Sequence, residues 1–304
     1  MKRLRERARV CADARRFFDS RGFTEVQTPV MVPSPGLDVH LDAFEVSGGD
    51  GGAPRWLSTS PEYQMKRLLS EGFSRIYQIA QCFRRGEVGG RHNPEFTMLE
   101  WYRSNAGVGD VLGDTEQLVA AITGGSVRLG DRSVDLRPPL DQVSVCDAFA
   151  RFAGWSRAET LDAAAHSEER YFRALVDDVE PALARMDRGV FLVDYPASQA
   201  SLARRKPEDP AVAERFELYV AGVELCNGYG ELVDPAEQRD RLLRDQRARQ
   251  ERGLAVYPID ERFVAALAAV PPSGGNALGL DRLVAITCGT TEIGEVMAFT
   301  AADL

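Results

Sequence analysis

Lysine is almost missing from this chain. It stands only at 2, 66 and 206, and the rest of the 37 basic residues are arginine. Codon bias of a GC-rich genome accounts for such usage, and bulk arginine content identifies no site. Cysteine is sparse: the five, at 11, 82, 146, 226 and 288, lie far apart, with no CxxC pair and no Cys/His cluster. That argues against a disulfide framework and against a structural zinc site. Positive charge is in deficit, with 46 acids giving a net charge of −9, so a broad basic surface for a phosphate backbone is not expected. No apolar run approaches the roughly 20 residues of a membrane helix; Val264–Val270 is among the longest. The opening MKRLRERARV is charged and lacks an apolar signal core, so the expected location is cytoplasmic, with no membrane partner. Internal repeats of solenoid length and long low-complexity stretches are also missing.

What is present is a chain of 304 residues, 44% hydrophobic and 27% charged, the composition of a globular protein with a sizeable core. Residues 4–21 predict a helix with Val10, Ala14, Phe17 and Phe18 on one face and Gly22 as its stop. A strand is expected over Thr24–Val30, with Pro29 near its end, where a missing ladder donor is tolerated. SGGDGGAP (47–54) reads as a hairpin tip, and Pro61 opens a short helix to about Ser70. Strands follow at about 75–84 and 95–103. Residues 104–190 read as a mostly helical insertion, including a small hairpin in SVRLGDRSVDL, packed on the main sheet of a single domain. Strands return near 190–195, 214–221 and 223–233, then helices at 236–252 and 260–269, and a glycine-rich turn leads to a helix from Asp281. Without strict βαβ alternation, the expected class is α+β with a largely antiparallel sheet flanked by helices.

Three segments carry chemistry. In the first, from Cys82 to Arg103, Arg84, Arg85, Arg91 and His92 crowd a glycine-bearing loop between two strands. Guanidinium forks pair with phosphate oxygens and glycines let backbone approach, so the loop suits a polyphosphate. The strand that follows puts Glu95, Thr97, Leu99 and Trp101 on one face and Phe96, Met98, Glu100 and Tyr102 on the other. Acids on such a half-buried strand need partners. In the second segment, Glu217, Glu224 and Glu231 recur every seven residues. Gly222, Gly228 and Gly230 oppose a helix, so two strands joined by a turn would converge these carboxylates on a cation, either magnesium or an ammonium group. The third, GGNALGLDRL (274–283), is either a glycine-rich turn with an N-capping acid or a seat for a base at Gly279, with Arg282 reaching a terminal phosphate.

Together these segments resemble the class II aminoacyl-tRNA synthetases, in their lysyl branch. The first segment matches the second class-defining motif, GLDRL the third, and the first helix with GFTEVQTPVM the first. SPEYQMKRLL (60–69), RHNPEFTMLEWYR, PASQASLA and ERFELYVAGVELCNGYGEL are similar to the EpmA (PoxA, GenX) family, truncated paralogues of lysyl-tRNA synthetase. The resemblance covers nearly the whole chain and is weakest at about 104–190. It implies a class II catalytic domain without the anticodon-binding OB-fold. It also implies ATP and Mg2+ as cofactors, and lysine or (R)-β-lysine activated as an adenylate. The acceptor implied is a lysine side chain of translation elongation factor P, not tRNA. The first motif builds a two-fold interface in this class, so a homodimer is expected.

Carried onto matching positions, the family's roles put Arg84 on the α-phosphate and substrate carboxylate, and His92 and Arg282 on the outer phosphates. Arg84 and Arg282 are thereby the catalytic pair. Phe96 would stack on adenine with Asn93 nearby, Glu217 and Glu224 would hold magnesium, and Leu225 and Gly279 would border the nucleotide. Ser60, Pro61 and Glu62 would meet the substrate amine near the carboxylate. Tyr102 and Glu231, with Glu100, Asn227 and Tyr229, would bind the distal ammonium. There are two departures from the pattern. The usual motif glutamate is replaced by Gly86, so either Glu87 or the backbone of Arg85 and Gly86 meets the adenine amine. Ala277 stands where lysyl-tRNA synthetases have glycine, and its methyl would favour β-lysine by about 1–3 kcal/mol at most. The alternatives are the same adenylate with another acceptor, tRNA or a small amine, and a lysine-sensing paralogue without activity.

Overall fold

A computed structural model describes residues 1–47 and 53–304 of the chain. Among them, a nine-stranded sheet forms the centre of an α+β fold with helices packed against it, as expected. From one edge the strands run Thr24–Glu25, Arg75–Phe83, Glu95–Ser104, Ser273–Gly279, Val223–Gly230, Asp209–Val220, Val190–Pro196 and Asp141–Ser144. Arg205–Lys206 pairs off the side of Asp209–Val220. The two outermost pairings are parallel and the others antiparallel. No helix among the described residues is long and apolar enough to cross a membrane.

The first helix, Lys2–Asp19, buries the predicted face of Val10, Ala14, Phe17 and Phe18. Phe18 stacks on Tyr77, ring centroids 4.7 Å apart, and meets Trp101 at 5.3 Å. Burying one such ring contributes about 1.5–3 kcal/mol, and it locks the helix to strands Arg75–Phe83 and Glu95–Ser104. Those two strands alternate as the sequence implies: Leu99 and Trp101 enter the helix-side core, while Phe96 and Met98 pack on the opposite face.

Residues 145–183 supply a second apolar cluster, with Phe149, Tyr171 and Leu183 against Leu192 and Tyr219 at the far end of the sheet. The helix Val108–Thr123 and the hairpin of Ser126–Leu129 with Arg132–Asp135 pack instead into the main core through Val111, Leu118 and Val134.

Several boundaries differ from the sequence reading. Of the strand expected over Thr24–Val30 only Thr24–Glu25 forms; the next strand, Met31–Val32, begins just beyond it and belongs to a different sheet. Pro29 offers no ladder donor between them, and Thr28 turns its hydroxyl to Gln78 at 3.0 Å. The strand read to residue 233 ends at Gly230, and the one read from 214 begins at Asp209. Of the 47–54 tip, residues 48–52 lie outside the described residues; its flanks, Glu45–Val46 and Arg55–Leu57, pair antiparallel.

The main correction concerns residues 274–279. They are a central strand rather than a turn, hydrogen-bonded on both sides. Glycine is required by what approaches it: a Cβ at Gly274 would collide with Val111 and the Gly107 carbonyl, and one at Gly275 with Tyr102 and the Glu231 carboxylate. Asp281 is likewise not the cap of the Leu280–Thr287 helix, whose N-cap is Gly279. Buried, it accepts from the Thr97 N–H at 2.7 Å and pairs with Arg7, fastening this helix to the sheet and to the first helix.

Candidate active site

The register of the sheet assembles the site. Gln78, Glu100, Ala277, Asn227 and Glu217 stand opposite one another across five strands, and Ile76, Tyr102, Gly275, Tyr229 and Arg215 form the adjacent row. Directly paired residues share a face of the sheet. Ala277, Asn227 and Glu217 of the first row and Tyr102, Gly275, Tyr229 and Arg215 of the second line a cleft of about 450 Å³, a size typical of small-molecule sites.

One end of the cleft is cationic. The loop after Phe83 presents Arg84, whose guanidinium lies 4.9 Å from the Phe96 ring centroid and 3.6 Å from Glu87, with Nε donating to the Thr59 carbonyl at 3.4 Å. Arg282, in the first turn of Leu280–Thr287, donates to the Glu224 carbonyl at 2.9 Å and lies 3.5 Å from the Glu224 carboxylate. Its other Nη is 2.9 Å from Nε2 of His92, a contact that requires a neutral imidazole accepting there. Burial first, then the Arg282 charge, hold the His92 pKa below its ordinary value.

Two carboxylates follow. Glu217 is buried and already held, taking Nη2 of Arg215 at 2.6 Å and the Tyr219 hydroxyl at 2.8 Å. Glu224 keeps 39% of its side-chain surface open, and that surface faces the cleft. Partial burial, with the Glu217 charge second, pushes its pKa above the ordinary carboxylate value. A carboxylate strained by its like-charged neighbour is relieved by a dication. Among the described residues no group of three or more His, Cys, Asp or Glu could hold a metal. The pair therefore fits magnesium, which takes one or two carboxylates and completes its shell with phosphate oxygens and water, rather than an ion needing an all-protein cage.

The far end is buried and acidic. Glu100 accepts from the Ser60 hydroxyl at 2.9 Å and the Tyr102 hydroxyl at 2.6 Å. Burial, then the Glu62 charge, push its pKa up to about 8. Burial likewise pushes Glu231 up to about 7. Between Glu62 and Glu231 sits Lys66, its Nζ 2.7 Å from Oε1 of the first and 2.5 Å from Oε2 of the second. Neither carboxylate oxygen of Glu231 has a hydrogen-bond partner among the described residues, Oε2 being met by the Lys66 ion pair alone.

Most residues singled out from the sequence meet here. Arg84, Glu87, His92, Asn93, Phe96, Glu224, Leu225, Gly279 and Arg282 line one part of the cleft, and Ser60, Glu62, Tyr102, Asn227, Tyr229, Glu231 and Ala277 the other, with Glu217 between. Four do not line it. Pro61 is the N-cap of helix Glu62–Ser70, and Glu100 lies one layer behind Ser60 and Tyr102. Arg85 turns away to Asp42 at 3.2 Å, and Gly86 occupies a positive-φ turn. The Asn93 amide is engaged within the protein: Nδ2 donates to the Glu95 carbonyl at 2.7 Å and Oδ1 accepts from the Ala301 N–H at 2.9 Å.

Two residues that the sequence reading passed over prove central. Lys66 is one of only three lysines and lies one helical turn from Glu62; Arg215 stands two positions before Glu217 on the same strand face. Each is signalled only by spacing to an acid, a signal shared with many solvated pairs.

Comparison with known proteins gives the arrangement a lineage. The family model for class II tRNA synthetases (D, K and N) matches residues 1–303. The chain is 40% identical over 311 residues to the elongation factor P–(R)-β-lysine ligase of Klebsiella pneumoniae strain 342, covering 98% of this chain and 94% of that protein. It is 41% identical to the ligase of the same name from Proteus mirabilis strain HI4320, covering 97% and 94%. With that of Haemophilus influenzae strain PittGG the identity is 39%, covering 98% and 95%. The chain belongs to the class II (D, K and N) tRNA synthetase family and, within it, to the group of the elongation factor P–(R)-β-lysine ligases.

Proposed function

We propose that this protein is an AMP-forming ligase that activates lysine or (R)-β-lysine with ATP and passes the acyl group to a lysine side chain of elongation factor P. The observation that carries this reading is a single cleft lined by the guanidinium groups of Arg84 and Arg282 at one end and the carboxylates of Glu62 and Glu231 at the other. Such a cleft complements a polyphosphate and a diammonium amino acid together. The names of the relatives supply the acceptor.

The substrate carboxylate oxygen attacks the α-phosphorus and pyrophosphate leaves. The acceptor amine then attacks the acyl carbon, AMP leaves, and the amine gives up a proton. No enzyme nucleophile is required, so catalysis is positioning and charge neutralisation. Arg84 holds the α-phosphate and the carboxylate, His92 and Arg282 the outer phosphates, and Phe96 stacks on adenine. Glu87, whose side chain lines the cleft, takes the adenine amine in place of Arg85 and Gly86. Glu217 and Glu224 would hold magnesium, which when bound would neutralise phosphate charge. Glu62 takes the amine nearer the carboxylate; Glu231 and Tyr102, supported by Glu100, take the distal one. The same reading makes the enzyme a homodimer through the face bearing Val30 and Met31, both exposed, with a sedimentation mass about twice the monomer's.

The deciding experiment is mass spectrometry of elongation factor P after incubation with enzyme, ATP and each amino acid. A mass gain of one lysyl group on one lysine is expected. The family description favours one rival, a tRNA acceptor; charged tRNA beside an unmodified factor would establish that rival instead.

A further inference from the structure

We infer that Lys66 is a positioning residue for the substrate: its ammonium, locked between Glu62 and Glu231, sets the spacing and the charge of the carboxylates that grip the substrate's two amino groups. The inference rests on the assignment of the acidic end of the cleft to those amino groups. Lys66 lies in helix Glu62–Ser70 with 1% of its side chain exposed and does not line the cleft itself. It reaches one oxygen of Glu62 a turn back along its helix and one oxygen of Glu231 just past strand Val223–Gly230, tying helix to sheet through two acids.

Charge balance gives this lock a purpose. Glu62, Glu231 and Glu100 face one another around Lys66, with the Tyr102 phenol beside them and Arg204 beyond, the last paired to Glu214 at 2.7 Å. With all three acids ionised, the single ammonium leaves two negative charges, and a lysine-type substrate brings two positive ones. Burial alone would strip the proton from Lys66, but Glu231 and Glu62 outweigh it and hold the group charged. Geometry points the same way. Lys66 lies in ion-pair contact with Oε2 of Glu231, yet neither carboxylate oxygen has a hydrogen-bond donor among the described residues, and Oε1, against Gly275, has no cation beside it. A buried acceptor left unpaired is costly, and a substrate ammonium in the cleft supplies the missing donor.

The test is pyrophosphate exchange with lysine and (R)-β-lysine from pH 6 to 9 for wild type, Lys66→Met and Lys66→Arg, with folding checked by thermal melting. Lys66→Met is expected to raise the amino-acid KM on the order of 100-fold at pH 7, because it breaks a buried ion pair. It should also displace the KM–pH curve upward by about one unit, because Glu100 and Glu231 lose the nearby positive charge that favours their ionised forms. The ATP KM should stay within about twofold, since uniform binding of the nucleotide is untouched. Lys66→Arg keeps the charge but not the geometry, so it should raise KM and leave the curve in place. A Lys66→Met curve that superimposes on wild type, or a loss confined to kcat, overturns the inference. If Lys66→Met does not fold, Lys66→Arg decides alone, and an unchanged KM or a displaced curve overturns it. Glu231→Gln separates the two levels. An unchanged lysine KM there removes the substrate assignment; a raised one beside an inert Lys66→Met removes only the role of Lys66.

Discussion

The two ends of the cleft solve opposite electrostatic problems. At the phosphate end, Arg84, His92 and Arg282 are only partly covered; Arg84 rests on long contacts, 3.4–3.6 Å to Thr59 and Glu87, and Arg282 on the Glu224 carbonyl and His92 at 2.9 Å with the Glu224 carboxylate at 3.5 Å. Guanidinium groups keep their charge at any accessible pH, so this end can wait in solvent for its ligand. At the amino-acid end, Glu100 and Glu231 are almost wholly buried, and burial raises their pKa values despite the Lys66 ammonium, so ionising them is eased further only when a substrate ammonium arrives. One end is charged beforehand and screened by water; the other is dry, holds one locked ammonium, and completes its ionisation with the substrate. Affinity for the two ligands should therefore respond to different variables.

The largest expected effect comes from removing a phosphate clamp. Arg282→Ala should lower the rate of pyrophosphate exchange by about 10²–10³-fold, the usual consequence of losing one donor aimed at developing charge; exchange near the wild-type rate would remove Arg282 from that role. Glu231→Gln should raise the lysine KM by about 100-fold and leave the ATP KM almost unchanged, because a buried charge loses its partner at one end only. Steady-state kinetics with each ligand varied in turn will show whether the two ends are separable.

Acidity sharpens the contrast further. Glu100 and Glu231, with pKa values pushed up to about 8 and about 7, are protonated in the empty enzyme at low pH; Glu231 must ionise to receive the ammonium group, and Glu100 adds its charge from behind Tyr102. The sign follows: the lysine KM should fall as pH rises from 6 to 8, by about tenfold if one of the two protons dominates, with proton release on binding measurable by calorimetry in buffers of different ionisation enthalpy. The ATP KM should fall far less over that window, and equal slopes for both ligands would contradict the comparison. The smallest effect is structural. Gly275→Ala places a methyl against Tyr102 and Glu231 and should cost about 1–3 kcal/mol of stability by overpacking, read from a denaturant midpoint, together with a raised lysine KM.

Much of this was legible in the chain. The apolar face of the first helix, the alternation of Glu95–Ser104 and the pairing of Asp209–Val220 with Val223–Gly230 all follow from local periodicity, which the structure preserves. The glycine-rich stretch before Gly279 misled because glycine ordinarily marks turns. Here it marks crowding from Val111, Tyr102 and Glu231, none of them near it in sequence. Lys66 was passed over for a similar reason. An Arg or Lys four residues from an acid is usually a surface pair, and only the arrival of Glu231 from 165 positions later makes it a buried one.

By itself the sequence determined which residues carry charge and aromatic surface, which faces of helices and strands are apolar, and, through its motifs, which family those patterns belong to. Tertiary structure alone decided the register that sets Glu100, Ala277, Asn227 and Glu217 in one row, and the burial that raises the pKa values of Glu100 and Glu231. The reason is physical. Side-chain alternation is a property of neighbouring residues, whereas desolvation and cross-strand pairing depend on atoms far away along the chain, which reach these groups only when the sheet closes around them.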